Sequence, residues 1–145
     1  MSFYMATTQI APEKTAMETS SLLGRFGAAQ ILTTYEDGET VGLSFMIQKN
    51  GARIPFRLPV KWQPVMIAMQ NDKKTPARLC NREQAIRVAW RLVYRWVQAQ
   101  LALVEAGAVE LEEVFLPYAE TRNGQTVYEL YSDSEFKMLA APKEK

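Results

Sequence analysis

The sequence predicts an α+β domain: a helix, a three-stranded antiparallel meander and a long core helix, followed by a C-terminal strand or short helix. Three observations carry that prediction. The dipeptides Asp37-Gly38 and Asn50-Gly51 divide residues 30–60 into three short runs, and each tolerates the positive φ of the hairpin turn that suits twisted strands. Between Asn81 and Gly107, apolar residues recur at helical spacing. The total, 145 residues of which 48% are hydrophobic, is the material of one core, so residues 1–145 are expected to form a single domain.

Residues 1–10 carry little pattern and are expected to form a flexible arm. From Pro12 the chain becomes helix-compatible, with Glu13 early, Leu22, Leu23 and Phe26 near the end, and Gly27 as a stop. The meander strands are Gln30 to Glu36, Thr40 to Gln48 and Arg53 to Val60. In the second, Val41, Leu43, Phe45 and Ile47 alternate with Gly42, Ser44, Met46 and Gln48; in the third, Ile54, Phe56, Leu58 and Val60 alternate with Pro55, Arg57 and Pro59. One face is therefore core. Pro55 and Pro59 lack N–H donors on the same side of the third strand, which marks it as an edge.

A short helix is expected around Pro64 to Gln70, then a basic loop from Asn71 to Pro76 with Lys73 and Lys74. Asn81 can cap a helix from about Arg82 to Ala106, with Gly107 beyond it. Its stripe of Ile86, Ala89, Trp90, Val93, Val97, Leu101 and Val104 makes it the central core helix, packed on the Val41/Leu43/Phe45/Ile47 face. At 100° per residue, Gln84, Arg87, Arg91, Arg95 and Gln98 fall in one narrow polar sector, an arginine ridge. Beyond Gly107 the chain turns acidic. Asn123-Gly124 is another turn signal, Thr126 to Tyr131 reads as a strand that could join the meander, and residues 140–145 read as a frayed tail.

Several functions are excluded or disfavoured by composition. No apolar run approaches the roughly 20 residues of a spanning helix, and Met1 to Thr8 lack the basic-then-apolar pattern of a secretory signal, so a cytoplasmic protein is expected. The single cysteine, Cys80, forms no internal disulfide, and with no histidine in the chain the usual Cys/His zinc sites and Ser-His or Cys-His nucleophiles are absent. The glycines form neither a dinucleotide fingerprint nor a phosphate loop. Neither catalysis nor a cofactor is expected.

Charge is the informative property. Residues 49–95 hold eleven of the 17 bases and two acids, for +9, while residues 1–48 carry −3 and residues 96–145 carry −5. A field of that size favours a polyanion or an acidic protein surface. The candidate nucleic-acid-binding residues are Arg53, Arg57, Lys61, Lys73, Lys74, Arg87, Arg91 and Arg95 for phosphates, with Trp62 as the ring most free to stack on a base. Trp90 and Trp96 sit on apolar sectors and read as core. An alternative is compensation: Glu105, Glu110, Glu112 and Glu113 could fold back on Arg87, Arg91 or Arg95, within one molecule or in a neighbour. The acids Glu36, Asp37 and Glu39 suit a hairpin turn better than a metal site. Cys80, beside Arg78 and Arg82, has no histidine base and reads as incidental.

Two resemblances add to this reading. Ile54-Pro55-Phe56-Arg57-Leu58-Pro59-Val60, Arg87-Val88-Ala89-Trp90-Arg91 and Glu113-Val114-Phe115-Leu116-Pro117-Tyr118 resemble stretches of a group of uncharacterised small proteins encoded by bacteriophages and prophages, over most of the chain. The resemblance implies a phage or mobile-element origin and, for such a protein, the host cytoplasm. The order helix, three antiparallel strands, helix over about 12–105 is similar to that of a double-stranded RNA binding domain. That family has a lysine pair at the start of its second helix, whereas Lys73 and Lys74 precede Arg82 by several residues, so no role is carried over.

The expectation is a non-enzymatic nucleic-acid-binding accessory protein. The alternatives are a protein-interaction module, either a homo-oligomer or an inhibitor of a host defence enzyme, and a binder of a small phosphorylated ligand.

Overall fold

A computed structural model describes residues 2–139; the expected tail at 140–145 lies outside them. The chain is α+β, and no helix among the described residues is long and apolar enough to cross a membrane. Helix α1 spans Pro12–Arg25, with proline in its first turn, where its missing N–H costs no bond. It ends where Gly27, at φ 109°, lets Ala28 N–H reach back to the Leu23 carbonyl.

Strands β1 (Gln30–Glu36), β2 (Glu39–Lys49) and β3 (Ala52–Arg57) form an antiparallel sheet in sequence order. Both expected turns are present, with Asp37, Gly38, Asn50 and Gly51 all at positive φ. The register pairs Ile31 with Phe45 and Thr33 with Leu43, and pairs Phe45 with Phe56 and Ile47 with Ile54, so these side chains share the core face. Leu32, Ser44, Met46, Pro55, Arg53 and Arg57 take the other face.

Helix α2 spans Trp62–Asn71 and α3 spans Arg82–Glu105. Asn81 caps α3, its side-chain oxygen accepting from Gln84 N–H at 2.9 Å, and Gly107, at φ 80°, ends it. The expected packing is present: Leu43, Phe45, Ile47 and Phe56 join Trp90, Val93, Val97 and Leu101 in one core, with Val41 half-buried at its margin. The Trp90 indole N–H donates to the Thr40 carbonyl at 2.8 Å, anchoring the helix to the sheet. Phe45 stacks on Phe56 at 4.9 Å between ring centres, and Phe115 meets Phe45 edge-on at 5.5 Å.

Two expectations about the chain ends are corrected. Residues 2–10 are docked: Ala6 is buried with Met69, Ala85 and Val88; Phe3 N–H donates to Thr75 Oγ1 at 3.1 Å, and the Gln84 amide donates to the carbonyls of Ala6 and Thr8. The stretch read as a strand at Thr126 to Tyr131 is a helix. After α4 (Leu111–Val114), helix α5 spans Val127–Asp133, because Thr126 Oγ1 accepts from Glu129 N–H while the Glu129 carboxylate accepts from Thr126 N–H. The segment that joins the sheet is instead Ala119–Glu120: Ala119 bridges Phe56, and Glu120 N–H donates to the Pro55 carbonyl at 2.8 Å. The outer side of β3, where Pro55 brings no donor, is thus partly covered. Pro59 lies beyond the strand.

Candidate nucleic-acid interface

The basic band is divided by its neighbours. Lys49 pairs with Glu112 and, at 3.4 Å, with Glu110. Arg82 spans the β1–β2 hairpin, 2.9 Å from Glu39, 3.3 Å from Glu36 and 3.9 Å from Asp37. Arg57 lies 3.5 Å from Glu120 and 3.1 Å from Glu129, and donates to the Gly124 carbonyl. Arg91 pairs with Glu18 at 3.0 Å. Among the described residues, four cations are therefore matched within the molecule. The partners differ from those expected: Glu110 and Glu112 fold onto Lys49, not onto Arg87, Arg91 or Arg95.

The shared hydrogen bond and charge of Lys49 hold the Glu112 carboxyl below its ordinary range and raise the Lys49 ammonium in return. Hydrogen bonds from Thr126, backbone and hydroxyl, lower Glu129, with Arg57 and then Lys61 adding charge.

The arginine ridge does not stand as one surface. Helix α1 lies along its sector, and Arg91 is only 5% exposed. Its guanidinium donates to Thr15 Oγ1 at 3.3 Å and to Glu18, and lies 4.6 Å from the Tyr94 ring centre. Arg91 is corrected from a phosphate contact to a buried clamp between α1 and α3. Arg87 is half-buried, bonded to Gln84 Oε1 at 3.1 Å, in a hollow it shares with Glu13, Glu39 and Glu83. Arg95 remains exposed, bonded to Gln98.

Trp62 is corrected as well. Its ring packs at the junction of both core clusters, and the Arg82 guanidinium sits 5.2 Å above it, so it is not free to stack on a base. Lys73 and Lys74 are exposed in the loop after α2. There Asp72 accepts from the Thr75 hydroxyl and Lys74 N–H, bonds that keep its carboxyl below the ordinary aspartate value.

Among the predicted residues, Arg57 and Lys61 are brought into one hollow of about 370 Å³, lined also by Leu58, Pro59, Tyr118, Thr126, Tyr128 and Glu129. Arg53 is exposed on the same face of β3, four residues and so about 13 Å from Arg57. Pro59 and Tyr118 continue the hollow into a shallower depression with Leu92, Val93 and Trp96. Tyr118 is held edge-on against Trp96 at 5.2 Å, while Tyr128 is 56% exposed.

Sequence reasoning missed Tyr118, Tyr128, Thr126 and Glu129. For the last three the signal is the Thr126-x-x-Glu129 spacing, a helix-start signature that brings Tyr128 and Glu129 onto the first turn of α5. The larger hollow, about 590 Å³, lies on the outer sheet face and is lined by Gln30, Ile31, Leu32, Ser44, Phe45, Met46, Pro55 and Glu120. Its lining holds no cation, whereas that of the smaller one holds Arg57 and Lys61. No protein-family model, curated protein or solved structure matches this chain.

Proposed function

We propose that the protein is a non-enzymatic nucleic-acid-binding accessory protein, consistent with the phage or mobile-element origin its sequence resemblance implies. One observation carries the reading: Arg57 and Lys61 share a hollow with two tyrosines, on the flank of a strand that also bears exposed Arg53. Cations along a strand suit a phosphate chain, and the adjacent rings suit bases. The Arg57 ion pairs are half-exposed, so they exchange with phosphate at little cost. Lys73, Lys74 and Arg95, exposed and outside any ion pair among the described residues, add a diffuse attraction.

The test is fluorescence anisotropy of labelled oligonucleotides across salt concentrations. Three phosphate contacts, at Arg53, Arg57 and Lys61, predict a slope of log affinity against log salt of about −2 on a single strand. The double variant Arg53→Ala, Lys61→Ala should cut that slope to about −1 or less. Unchanged affinity in that variant would sink the proposal.

A second reading, a protein-docking module, is favoured by the apolar outer face around Leu32, which is 65% exposed. Light scattering over protein concentration separates the two: a self-associating face yields a dimer that persists at high salt.

A further inference from the structure

We infer that the hollow between β3 and α5 receives one nucleotide unit, its planar base against Tyr128 and Tyr118 and its phosphate at Lys61, so that the protein selects single strands. The inference rests on the nucleic-acid reading and deepens it. Four features of the hollow support it.

Its volume, about 370 Å³, is that of a small-molecule site and not of a groove for a duplex. Its rings are differently held. Tyr118 packs edge-on against Trp96, and Tyr128, on the first turn of α5 and 6.0 Å from the Phe136 ring centre, leaves more than half of its surface to solvent. Leu58 and Pro59 line the same hollow as the fixed ring and the open one, and together they offer apolar surface that a base can meet once it is unstacked.

The charges are arranged for a phosphate at the rim. Glu129 lies inside the lining, yet its Oε1 accepts from Thr126 N–H at 2.8 Å and from Arg57 at 3.1 Å, so its charge is already engaged. Lys61 lines the same hollow and forms no ion pair among the described residues. The phosphate therefore belongs first at Lys61, with Arg57, whose half-exposed ion pairs exchange, as the neighbouring contact.

Finally, the turn that accepts the Arg57 hydrogen bond through Gly124 carries the exposed Arg122, a further cation outside any ion pair among the described residues. A strand leaving the hollow thus has further exposed cations in the elements that flank it, Arg53 on β3 and Arg122 in the turn bonded to Arg57.

The experiment uses the whole chain with a single-stranded oligonucleotide carrying one 2-aminopurine, the blunt duplex of the same sequence, and adenosine monophosphate. Stacking on the tyrosines quenches 2-aminopurine, and the expected result is quenching by wild type that is lost in Tyr128→Leu. That variant should weaken single-strand affinity roughly five- to 150-fold, Tyr128→Trp should retain it, and duplex affinity should be weaker and insensitive to either change. Because Tyr128 is largely exposed, the leucine variant is expected to keep its fold, which circular dichroism checks. Single-strand affinity unchanged in Tyr128→Leu overturns the inference and leaves the nucleic-acid reading standing. Absence of binding to every probe at low salt overturns both. Mononucleotide affinity equal to that of the oligonucleotide overturns the strand and assigns the hollow to a free nucleotide.

Discussion

Replacing Arg91 with methionine separates two roles that the linear sequence cannot tell apart. Met keeps an aliphatic stem of similar reach, so the packing along α3 survives while the guanidinium is lost. That loss removes the ion pair to Glu18, the hydrogen bond to Thr15 Oγ1 and the contact with the Tyr94 ring. Hydrogen bonds to a charged group contribute about 1.5–3 kcal/mol, and breaking a fully buried pair costs about 3–5 kcal/mol. Here the Glu18 side chain keeps 35% exposure and regains water, which places the cost near the lower range, but fully buried Thr15 loses a partner.

The expected destabilisation is about 2 kcal/mol, or a fall in Tm of roughly 4–8 °C for a chain of this size. Urea denaturation followed by tryptophan fluorescence measures it, and a double-mutant cycle with Glu18→Gln isolates the coupling. Oligonucleotide affinity, measured well below the midpoint, should not change. An Arg91→Met protein that unfolds at the wild-type midpoint and binds nucleic acid more weakly would refute the clamp and restore Arg91 to the phosphate surface. Arg91→Lys should not rescue stability fully, since one ammonium does not reproduce a planar fork bonded to two partners.

Other outcomes follow from the same geometry. Phe115→Ala, at a fully buried ring against Phe45 and Trp96, should cost about 3–5 kcal/mol and release the C-terminal segment to limited proteolysis. Asn81→Ala removes the α3 cap and should cost about 1 kcal/mol, largely recovered by Asn81→Asp, again read from urea midpoints. Asp72, Glu112 and Glu129 have folded-state values below their ordinary ones, so their contributions are complete above about pH 4.5 and vanish as pH falls through the lowered values; midpoints should hold from neutrality to about pH 5 and then decline. Glu129→Gln should reduce that acid sensitivity. The Lys49 contribution runs oppositely, present below the ordinary lysine value and lost as pH rises through the raised one.

Where local chemistry decided the outcome, the sequence was readable. The Asp37-Gly38 and Asn50-Gly51 turns, the Asn81 cap, the Gly27 and Gly107 stops and the period-2 core face all depend on neighbours within a few residues, and each is where the pattern predicts. The Asn123-Gly124 turn is where the pattern predicts, but it leads into a helix and not into the strand read at Thr126 to Tyr131, because the Thr126–Glu129 spacing caps α5. Both signals were local, and the reciprocal hydrogen bonds favour the helix.

Charge was legible by segment but not by pairing. Sequence by itself determined the order of elements as far as α3, the core face of the meander, the central helix and the excess of cations in residues 49–95. Tertiary structure alone decided which cations are available, because their partners are distant in the chain: Glu112 stands 63 residues from Lys49, Glu129 stands 72 from Arg57, and Glu18 stands 73 from Arg91. Helical periodicity places Arg87, Arg91 and Arg95 in one sector of α3 but carries no information about what packs there. Only the docking of α1 buries Arg91, and only the return of residues 116–129 sets tyrosines beside Arg57 and Lys61. Periodicity is a property of a few consecutive residues, whereas burial and ion pairing depend on which surfaces meet.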